Sequence, residues 1–409
     1  MELSLRGFLT RILGIREAVV EEVATEEEEG APVVVLRIRL RARRRPRCSR
    51  CGKAVAGRGH QERPRRWRHL SLLGVPTFLE AIVRRVYCPC SGSEHVEAVP
   101  WARAGARVTR ALEKTVALLS RTTDTTTAAR HFDLAWRTVA AVEARLADEQ
   151  LVPTRFDHLL AIGVDEVSCA RGQNYLTVVV DLLHGDVVWI GKGRSQESLA
   201  AFFREIGPER CAKLAVIATD LHEPFHAAAR AFAAQADLVF DHFHLVKLLN
   251  EALDDLRREE FRRLSQEDRR WLKGTRWAVL KDPDNLTKKQ ARSLDDLARE
   301  NRRLYRGYLL KEDFRHAWLP GNVGVSRARL QRWLQWALHS RIRQIVRFAK
   351  TVKKHLDGIL KAIELRVITG PVEGINNKIK TILKRAYGFA NVDHFIRAIY
   401  FRCLRFEIR

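Results

Sequence analysis

Between residues 158 and 245, short apolar runs of strand length alternate with stretches of helical periodicity. The predicted strands cover residues 159–164, 175–181, 187–191, 214–218 and 238–240, and the predicted helices cover residues 196–206 and 223–234. This alternation predicts a mixed α/β core. From residue 245 to 363 the periodicity is almost wholly helical, which predicts an all-α block after the core.

Three acidic residues lie at positions where a carboxylate is energetically unfavourable unless it has a function. Asp165 ends one apolar run, Asp220 follows another, and Glu373 lies in the segment 370–378. Strand ends lie at the edge of a sheet, where ligand sites commonly form. Three carboxylates there suit Mg²⁺ or Mn²⁺, and two such ions about 3.5–4 Å apart catalyse phosphoryl transfer. Taken singly, a strand-end aspartate is more often a turn former or helix cap, so the prediction depends on the three together.

Neighbouring residues offer alternatives to this set. Glu166 follows Asp165, but successive strand residues point to opposite faces, so we assign the role to Asp165. Asp241, His242 and His244 follow the last predicted strand and could approach the same edge. A packed or capping histidine is equally expected there, so these three stay outside the predicted catalytic set.

The charge is large and unevenly distributed. The formal net charge is +24, which predicts a polyanionic partner such as nucleic acid. Residues 35–70 contain 14 basic residues and one acid, whereas residues 151–241 contain 12 acids and eight basic residues. The acidic middle fits a metal-binding domain. We find no apolar run of about 20 residues and no secretory signal, so we expect a cytoplasmic, nucleoid-associated protein.

Four of the seven cysteines form two close pairs, Cys48 with Cys51 and Cys88 with Cys90. Thiolate pairs brought together in this way make a tetrahedral structural zinc site. The second pair is one residue shorter than Cys-x-x-Cys, so the fourth ligand is Cys90 or, as a substitute, His95. The alternative is a set of ordinary buried cysteines. Predicted strands at residues 35–43 and 78–87 flank the pairs, and the acidic run at residues 26–29 is expected to be a solvated loop.

Residues 107–146 have helical periodicity, interrupted around a short helical piece at residues 126–132. This outline predicts a helix-turn-helix, with a plain three-helix linker as the alternative. Trp136, Arg137 and Thr138 would then begin the helix that enters the major groove. The basic residues predicted to contact DNA are Arg41, Arg43, Arg66, Arg68, Lys378, Lys380, Lys384 and Arg385. Trp333 and Trp336 lie among arginines and are either core residues or contacts for unpaired bases.

Several segments together resemble the ISL3 class of bacterial insertion-sequence transposases. They are Gly-Val-Asp-Glu-Val (163–167), Tyr-Leu-Thr-Val-Val-Val-Asp (175–181), Thr-Asp-Leu-His-Glu-Pro-Phe (219–225), Asp-His-Phe-His-Leu-Val (241–246), Glu-Gly-Ile-Asn-Asn-Lys-Ile-Lys (373–380) and Arg-Ala-Tyr-Gly-Phe (385–389). The resemblance extends from about residue 40 to the C-terminus. It implies an RNase H-like fold with a DDE triad carried by Asp165, Asp220 and Glu373, interrupted by a large helical insertion.

These observations give one overall expectation: an α/β RNase H-like catalytic core with a large all-α insertion, plus an N-terminal zinc-binding β domain and a helix-turn-helix. The expected domains are residues 1–100 (zinc and DNA binding), 101–150 (helix-turn-helix), 151–245 (core), 246–365 (insertion) and 366–409 (end of the core). We expect a DNA transposase that binds terminal inverted repeats and target DNA as a homodimer or higher assembly. It would use two Mg²⁺ or Mn²⁺ ions per active site and structural Zn²⁺. The alternatives are a catalytically inactive DNA-binding regulator and a nuclease that cuts without joining.

Overall fold

The structure is a computed structural model that describes residues 4–41, 44–60, 63–169, 174–264, 269–272, 274–319, 322–389 and 391–404. It divides into two compact units between Glu149 and Gln150. No helix of the described residues combines the length and the apolar character needed to cross a membrane.

The first unit begins with two small sheets. Its elements are α1 (Leu5–Ile12), β1 (Ala18–Glu28), β2 (Ala31–Leu40), β3 (Gly57–His60), β4 (Arg65–Leu72), β5 (Val75–Ala81), β6 (Arg84–Cys88) and β7 (Ser93–Val96). One sheet has the order β1-β2-β5-β4 and the other β3-β6-β7. In β2 the period-two pattern holds, because Leu36 and Ile38 are buried while Arg37 and Arg39 lie on the opposite face.

Two local expectations in this unit are wrong. Residues 78–87 do not form one strand, because the chain leaves the first sheet after Ala81 and joins the second sheet at Arg84. The acidic run is not a loop either, since Glu26 and Glu28 belong to β1. Their carboxylates pair with Arg37 of β2 and Arg66 of β4 in the same sheet, which gives the run a structural role.

A three-helix segment ends the first unit, as the periodicity predicts. It consists of α2 (Arg110–Thr122), α3 (Thr125–Phe132) and α4 (Trp136–Gln150). Asp124 caps α3 by accepting a hydrogen bond from the amide of Thr127, and Asp133 ends α3 in the left-handed conformation. Val139 and Val142 of α4 are fully buried, so the start of α4 presents its other face to solvent.

The second unit is built on a five-stranded sheet flanked by helices. Its first elements are β8 (Ala161–Ser168), β9 (Tyr175–Asp181), β10 (Asp186–Lys192), α5 (Gln196–Ile206), α6 (Pro208–Cys211), β11 (Val216–Thr219), α7 (Glu223–Phe232) and β12 (Asp237–Phe240). The strand order is β10-β9-β8-β11-β12, with β8, β11 and β12 mutually parallel and β9 antiparallel to both of its neighbours. The predicted strands and helices of this region are confirmed to within a few residues.

A helical block follows the sheet, also as predicted. It comprises α8 (His242–Arg263), α9 (Arg269–Leu272), α10 (Arg276–Leu280), α11 (Lys288–Glu300), α12 (Arg302–His316), α13 (Val323–Leu338), α14 (Arg343–Lys354) and α15 (Leu356–Glu364). These helices share a hydrophobic core that includes Leu253, Phe314, Trp333 and Phe348. The block therefore has a core of its own beside that of the sheet.

Two last helices, α16 (Gly370–Arg385) and α17 (Val392–Cys403), return to the sheet. Gly163 of β8 makes the close approach of α16 possible, because a Cβ atom there would lie 2.3 Å from the Cγ2 atom of Val372. On α17, the hydroxyl of Tyr400 accepts a hydrogen bond from the amide of Ile190 in β10. Helices α16 and α17 thus cover one side of the sheet. Helices α5 and α7 pack against the sheet through a second cluster of buried apolar side chains.

Candidate active site

Two aspartates meet at the edge of the five-stranded sheet. Strands β8 and β11 pair in parallel up to Val164 and Thr219, so the next residues are Asp165, which lies within β8 rather than at its end, and Asp220, which directly follows β11. Together with His244 they each offer a ligand atom, and these atoms all lie within 4.8 Å of one another. They line a cavity of about 560 Å³, together with Glu166, Leu221, His222, Lys247, Leu248, Glu251, Thr351, Asn376 and Lys380.

His244, which the sequence argument left outside the catalytic set, is the third member of this cluster. Its Nδ1 atom lies 2.8 Å from Oδ2 of Asp241, the residue that caps α8. Asp241 also accepts a 2.7 Å hydrogen bond from the hydroxyl of Thr369, the residue before α16. The hydrogen bond with Asp241 raises the pKa of His244. Because Nδ1 is held by Asp241, Nε2 is the atom available to the site.

The carboxylate of Asp165 is held from two sides. Its Oδ1 accepts a hydrogen bond from the amide of Glu166, and its Oδ2 lies 2.5 Å from Nδ2 of Asn376 on α16. Burial raises its pKa above the usual range, an effect that a bound cation would oppose. The side chain of Glu166 lines the same cavity, but it is ion-paired with Arg194 at 3.0 Å.

Glu373, the third predicted acid, lies in the first turn of α16 and is exposed. It does not belong to the cluster of Asp165, Asp220 and His244. Glu373 precedes Asn376 by three positions and Lys380 by seven, so the three share one face of the helix. Since Asn376 bonds to Asp165, the face that carries Glu373 is the face turned toward the metal-ligand cluster.

The loop that carries Asp220 is fixed through its backbone. His226, which is fully buried in α7, has its Nε2 atom 2.9 Å from the carbonyl oxygen of Asp220. A carbonyl only accepts, so Nε2 must hold the proton. The amide of His222 donates to Oδ1 of Asp220, and Nε2 of His222 lies 2.8 Å from the carbonyl oxygen of Arg194. These contacts determine where the carboxylate of Asp220 points.

The first unit contains a second cluster of potential metal ligands. Cys48, Cys51 and Cys88 bring their sulfur atoms within 4.8 Å of one another, and the Sγ atoms of Cys51 and Cys88 are 3.5 Å apart. Hydrogen bonding from Ser91, followed by bonds with the other two thiols, lowers the pKa of Cys88 to about 6, which favours the thiolate that metals bind.

The turns that follow Cys48 and Cys88 resemble each other in where a glycine with positive φ occurs. Gly52 follows Cys51 and Gly92 follows Ser91, both with positive φ, so Ser91 occupies the position that corresponds to Cys51. Cys90 is exposed and lies outside the cluster of three sulfurs. His95 has its Nε2 atom within 3.1 Å of the hydroxyls of Ser91 and Ser93. The structure therefore brings three of the four predicted cysteines together.

Comparisons with known proteins agree with both clusters. A family profile described as "Transposase" (DDE_Tnp_ISL3) matches residues 162–399, and one for the zinc-finger of transposase IS204/IS1001/IS1096/IS1165 matches residues 37–90. The helix-turn-helix domain of transposase family ISL3 matches residues 97–147. The chain belongs to the ISL3 family of transposases. The resemblance inferred from the sequence is thereby confirmed, and the chain is a DDE transposase, a metal-dependent enzyme that cleaves and transfers DNA strands.

Two relatives of this transposase align over most of their length. The transposase for insertion sequence element IS1557 of Mycobacterium tuberculosis (strain CDC 1551 / Oshkosh) is 35% identical over 407 residues, covering 92% of this chain and 91% of the relative. The transposase for insertion sequence element IS1001 of Bordetella parapertussis is 33% identical over 356 residues, covering 86% and 87%. Each alignment therefore covers most of both chains.

The arginines expected to bind DNA differ in whether their guanidinium groups already form ion pairs or hydrogen bonds within the transposase. Arg66 is surrounded by the carboxylates of Glu26, Glu28 and Glu80. Arg68 is half-buried and donates to backbone oxygens of His69 and Thr77, and burial lowers its pKa. In contrast, Arg41 is exposed beyond the end of β2, and Arg43 lies outside the described residues. The charge of Arg66 is thus already balanced within the sheet.

The other predicted DNA contacts lie on helix surfaces. Trp136 is 44% exposed at the start of α4, Arg137 beside it is also exposed, and Thr138 is half-buried. Lys378, Lys380, Lys384 and Arg385 are exposed on α16. Trp333 is fully buried and its indole donates to the carbonyl of Leu310 at 2.7 Å, so it is a core residue of the transposase. Trp336 keeps 39% of its surface exposed.

Proposed function

We propose that this transposase cleaves DNA at the ends of its own insertion element and joins the freed 3′ ends to target DNA in the site formed by Asp165, Asp220 and Glu373. The observation that carries the proposal is the convergence of Asp165, Asp220 and His244 within 4.8 Å at the edge of the sheet. Glu373 supplies the third carboxylate from the face of α16 that is already joined to Asp165 through Asn376. The sheet, in which only β9 of the five strands runs against the other four, supports an RNase H-like core.

We propose Mg²⁺ or Mn²⁺ as the catalytic cofactor, two ions per site, because the cluster combines carboxylate oxygens with one imidazole nitrogen. Such ions activate the attacking oxygen and stabilise the leaving oxygen in phosphoryl transfer. The chain's own residues set the positions of the ligands. His226 fixes the backbone of Asp220, Asn376 orients Asp165, and Asp241 orients His244.

We propose a division of labour along the chain. Residues 1–100 would hold zinc through Cys48, Cys51 and Cys88, with a fourth ligand from Cys90 in the following turn or from His95 in β7. Residues 101–150 would read the terminal inverted repeats through Trp136, Arg137 and Thr138 at the exposed start of α4. Residues 246–365 would be a helical insertion into the core formed by residues 151–245 and 366–409, since they have a hydrophobic core of their own.

Sequence-independent affinity would come from exposed cations. We propose phosphate contacts by Arg41 and by the basic residues of α16, since a phosphate at Arg66 would compete with three carboxylates. Two element ends must be processed together, so we also propose a homodimer or higher assembly on DNA.

The decisive experiment is a cleavage and strand-transfer assay on labelled DNA that carries the element's own ends, with Mg²⁺ or Mn²⁺. Wild type should nick at the ends and form joined products, and Asp220→Asn should abolish both while keeping DNA binding. The matched control is Asp237→Asn, a half-buried aspartate at the start of β12 on the same sheet. Nicking without joined products would favour a nuclease. End binding without cleavage under either metal would favour a DNA-binding regulator.

A further inference from the structure

The turn that follows α16 carries a tyrosine whose side chain is fully exposed among the residues that the structure describes. Tyr387 is 100% exposed, whereas Phe389, two residues later, packs against His394 and Phe395. A large aromatic side chain is usually buried because water solvates it poorly. The neighbouring phenylalanine shows that this turn has access to an apolar contact that Tyr387 does not use.

The backbone conformation at Tyr387 is one that glycine adopts more easily. Tyr387 has φ of 53° and is followed by Gly388 with φ of 104°. The amide of Gly388 donates to Leu383 and the amide of Tyr387 donates to Lys384, both at 3.1 Å, which is the hydrogen-bond pattern of a Schellman motif. Glycine is preferred at the position of Tyr387 because a Cβ atom is unfavourable in the left-handed region. Folding alone therefore gives no reason for a tyrosine here.

The position of Tyr387 just beyond α16 relates it to the active site. Asn376, Lys380 and Lys384 follow one another at intervals of four residues, so they lie along one face of α16, and Tyr387 lies three residues beyond Lys384 in the turn that ends the helix. We name this set the α16 track. At its start, Asn376 bonds to Asp165 and Lys380 lines the same cavity. From Lys380 to Lys384 the track extends about 6 Å along the helix axis, and Tyr387 follows in the turn after α16.

We propose that the α16 track binds the DNA strand beside the scissile bond and that Tyr387 stacks on a base that is unpaired there. This inference rests on the proposed function. Exposed Lys380 and Lys384 offer positive charge to two phosphates of the strand, and the tyrosine ring offers a stacking surface at the far end. Bases inside a duplex already stack on each other, so an exposed ring gains most from a base that has lost its partner.

The test measures DNA binding without cleavage, in a buffer with Ca²⁺ in place of Mg²⁺. The probes are two labelled duplexes from the end of the element, one fully paired and one with the base pairs at the cleavage position mismatched. Wild type should prefer the mismatched probe. Tyr387→Gly should weaken binding to that probe about tenfold and leave the paired probe unchanged, whereas Tyr387→Phe should keep the preference.

The glycine variant separates this role from a structural one. Because glycine fits the left-handed conformation, Tyr387→Gly should have a Tm equal to or above that of wild type. Glu29→Gly is the matched control: Glu29 has φ of 52° and also precedes a glycine, but it is acidic and lies in the β1–β2 turn. It should leave the preference for the mismatched probe intact. Lys384→Gln should weaken both probes alike, since phosphates are present in both.

Three results would overturn the inference: equal binding of the mismatched probe by wild type and Tyr387→Gly, an equal loss on both probes, or a loss in Tyr387→Phe as large as in Tyr387→Gly. The proposed function fails on a different observation, namely the absence of cleavage by wild type in Mg²⁺ or Mn²⁺. Selective loss of mismatch binding in Tyr387→Gly would support the inference even in that case.

Discussion

The cysteine cluster of the first unit and the carboxylate cluster of the second each gather three potential metal ligands, but their surroundings are opposite. Cys48 and Cys88 are themselves most of a small core, which contains Val86 as its other buried member. Asp165 instead lies within β8 and Asp220 directly follows β11, two strands whose core includes Ile162, Ile217 and many further apolar side chains. A metal at the first site would hold the fold together, whereas the fold holds the second site in place.

The largest expected effect concerns Glu373, whose side chain contributes least to folding. Glu373→Gln should lower the rate of end cleavage on the order of 10³-fold while leaving end binding unchanged, because Glu373 is exposed and contributes only its charge. The measurement is nicking of end DNA in Mn²⁺. Glu364→Gln, an exposed acid at the end of α15, is the control and should cleave normally. Wild-type cleavage by Glu373→Gln would mean that His244 completes the site instead.

For the cysteine cluster we expect the opposite, namely that a substitution impairs folding first. Cys48→Ser should release zinc, unfold the zinc module and lower end-specific binding about 10²-fold, since little else forms its core. Limited proteolysis should degrade the first unit and leave the second intact. Cys169→Ser removes a thiol outside the cluster and should change neither zinc content nor digestion. Loss of the second unit as well would contradict the contrast between the two sites.

His226 tests whether the fold positions Asp220. His226→Leu removes the hydrogen-bond donor to the carbonyl of Asp220 and should lower cleavage by about 10–100-fold and raise the Mn²⁺ concentration needed. The amide of glutamine reaches about as far as Nε2, so His226→Gln should restore most of the activity. If both variants lose activity and Tm equally, His226 serves only packing.

The turn after Cys88 offers a gain of function. Ser91→Cys creates the spacing of the first pair at the position that corresponds to Cys51 and should tighten zinc binding about tenfold. Cys90→Ser should have little effect, because that thiol is exposed and outside the cluster. Competition with a chromophoric chelator measures both affinities. The opposite ranking would identify Cys90 as the fourth ligand.

The smallest effect concerns Arg37 and Arg66, which share Glu80. Glu80→Gln should destabilise the first unit by about 1 kcal/mol, since these pairs are partly exposed. It should also strengthen non-specific DNA binding slightly, because two guanidinium groups lose a competing carboxylate. Glu197→Gln, which breaks an exposed pair with Arg204, should leave both quantities unchanged. Weaker DNA binding by Glu80→Gln would contradict this structural assignment of Arg66.

Of each predicted set of ligands the structure brings only part together, Asp165 with Asp220 but without Glu373, and Cys48 with Cys51 and Cys88 but without Cys90. Asp165 and Asp220 follow long buried apolar runs, and parallel pairing then makes them neighbours. His244 gave a weaker signal, the spacing of three residues after the helix-capping Asp241, which also fits a simple cap. Periodicity shows which residues share a face of a strand but not which strands pair, so neither the sheet change after Ala81 nor the pairing of Glu26 with arginines follows from it.

The bare α-carbon of Gly163 has an effect that extends beyond β8. A methyl group there would collide with Val372, one residue before Glu373, and would push α16 away from the sheet. A mutated copy of this gene can therefore keep every acidic residue of the site and still encode a silent element. Counting intact acid triads in a genome would then overestimate how many copies can move, and the residue at position 163 belongs in the same survey.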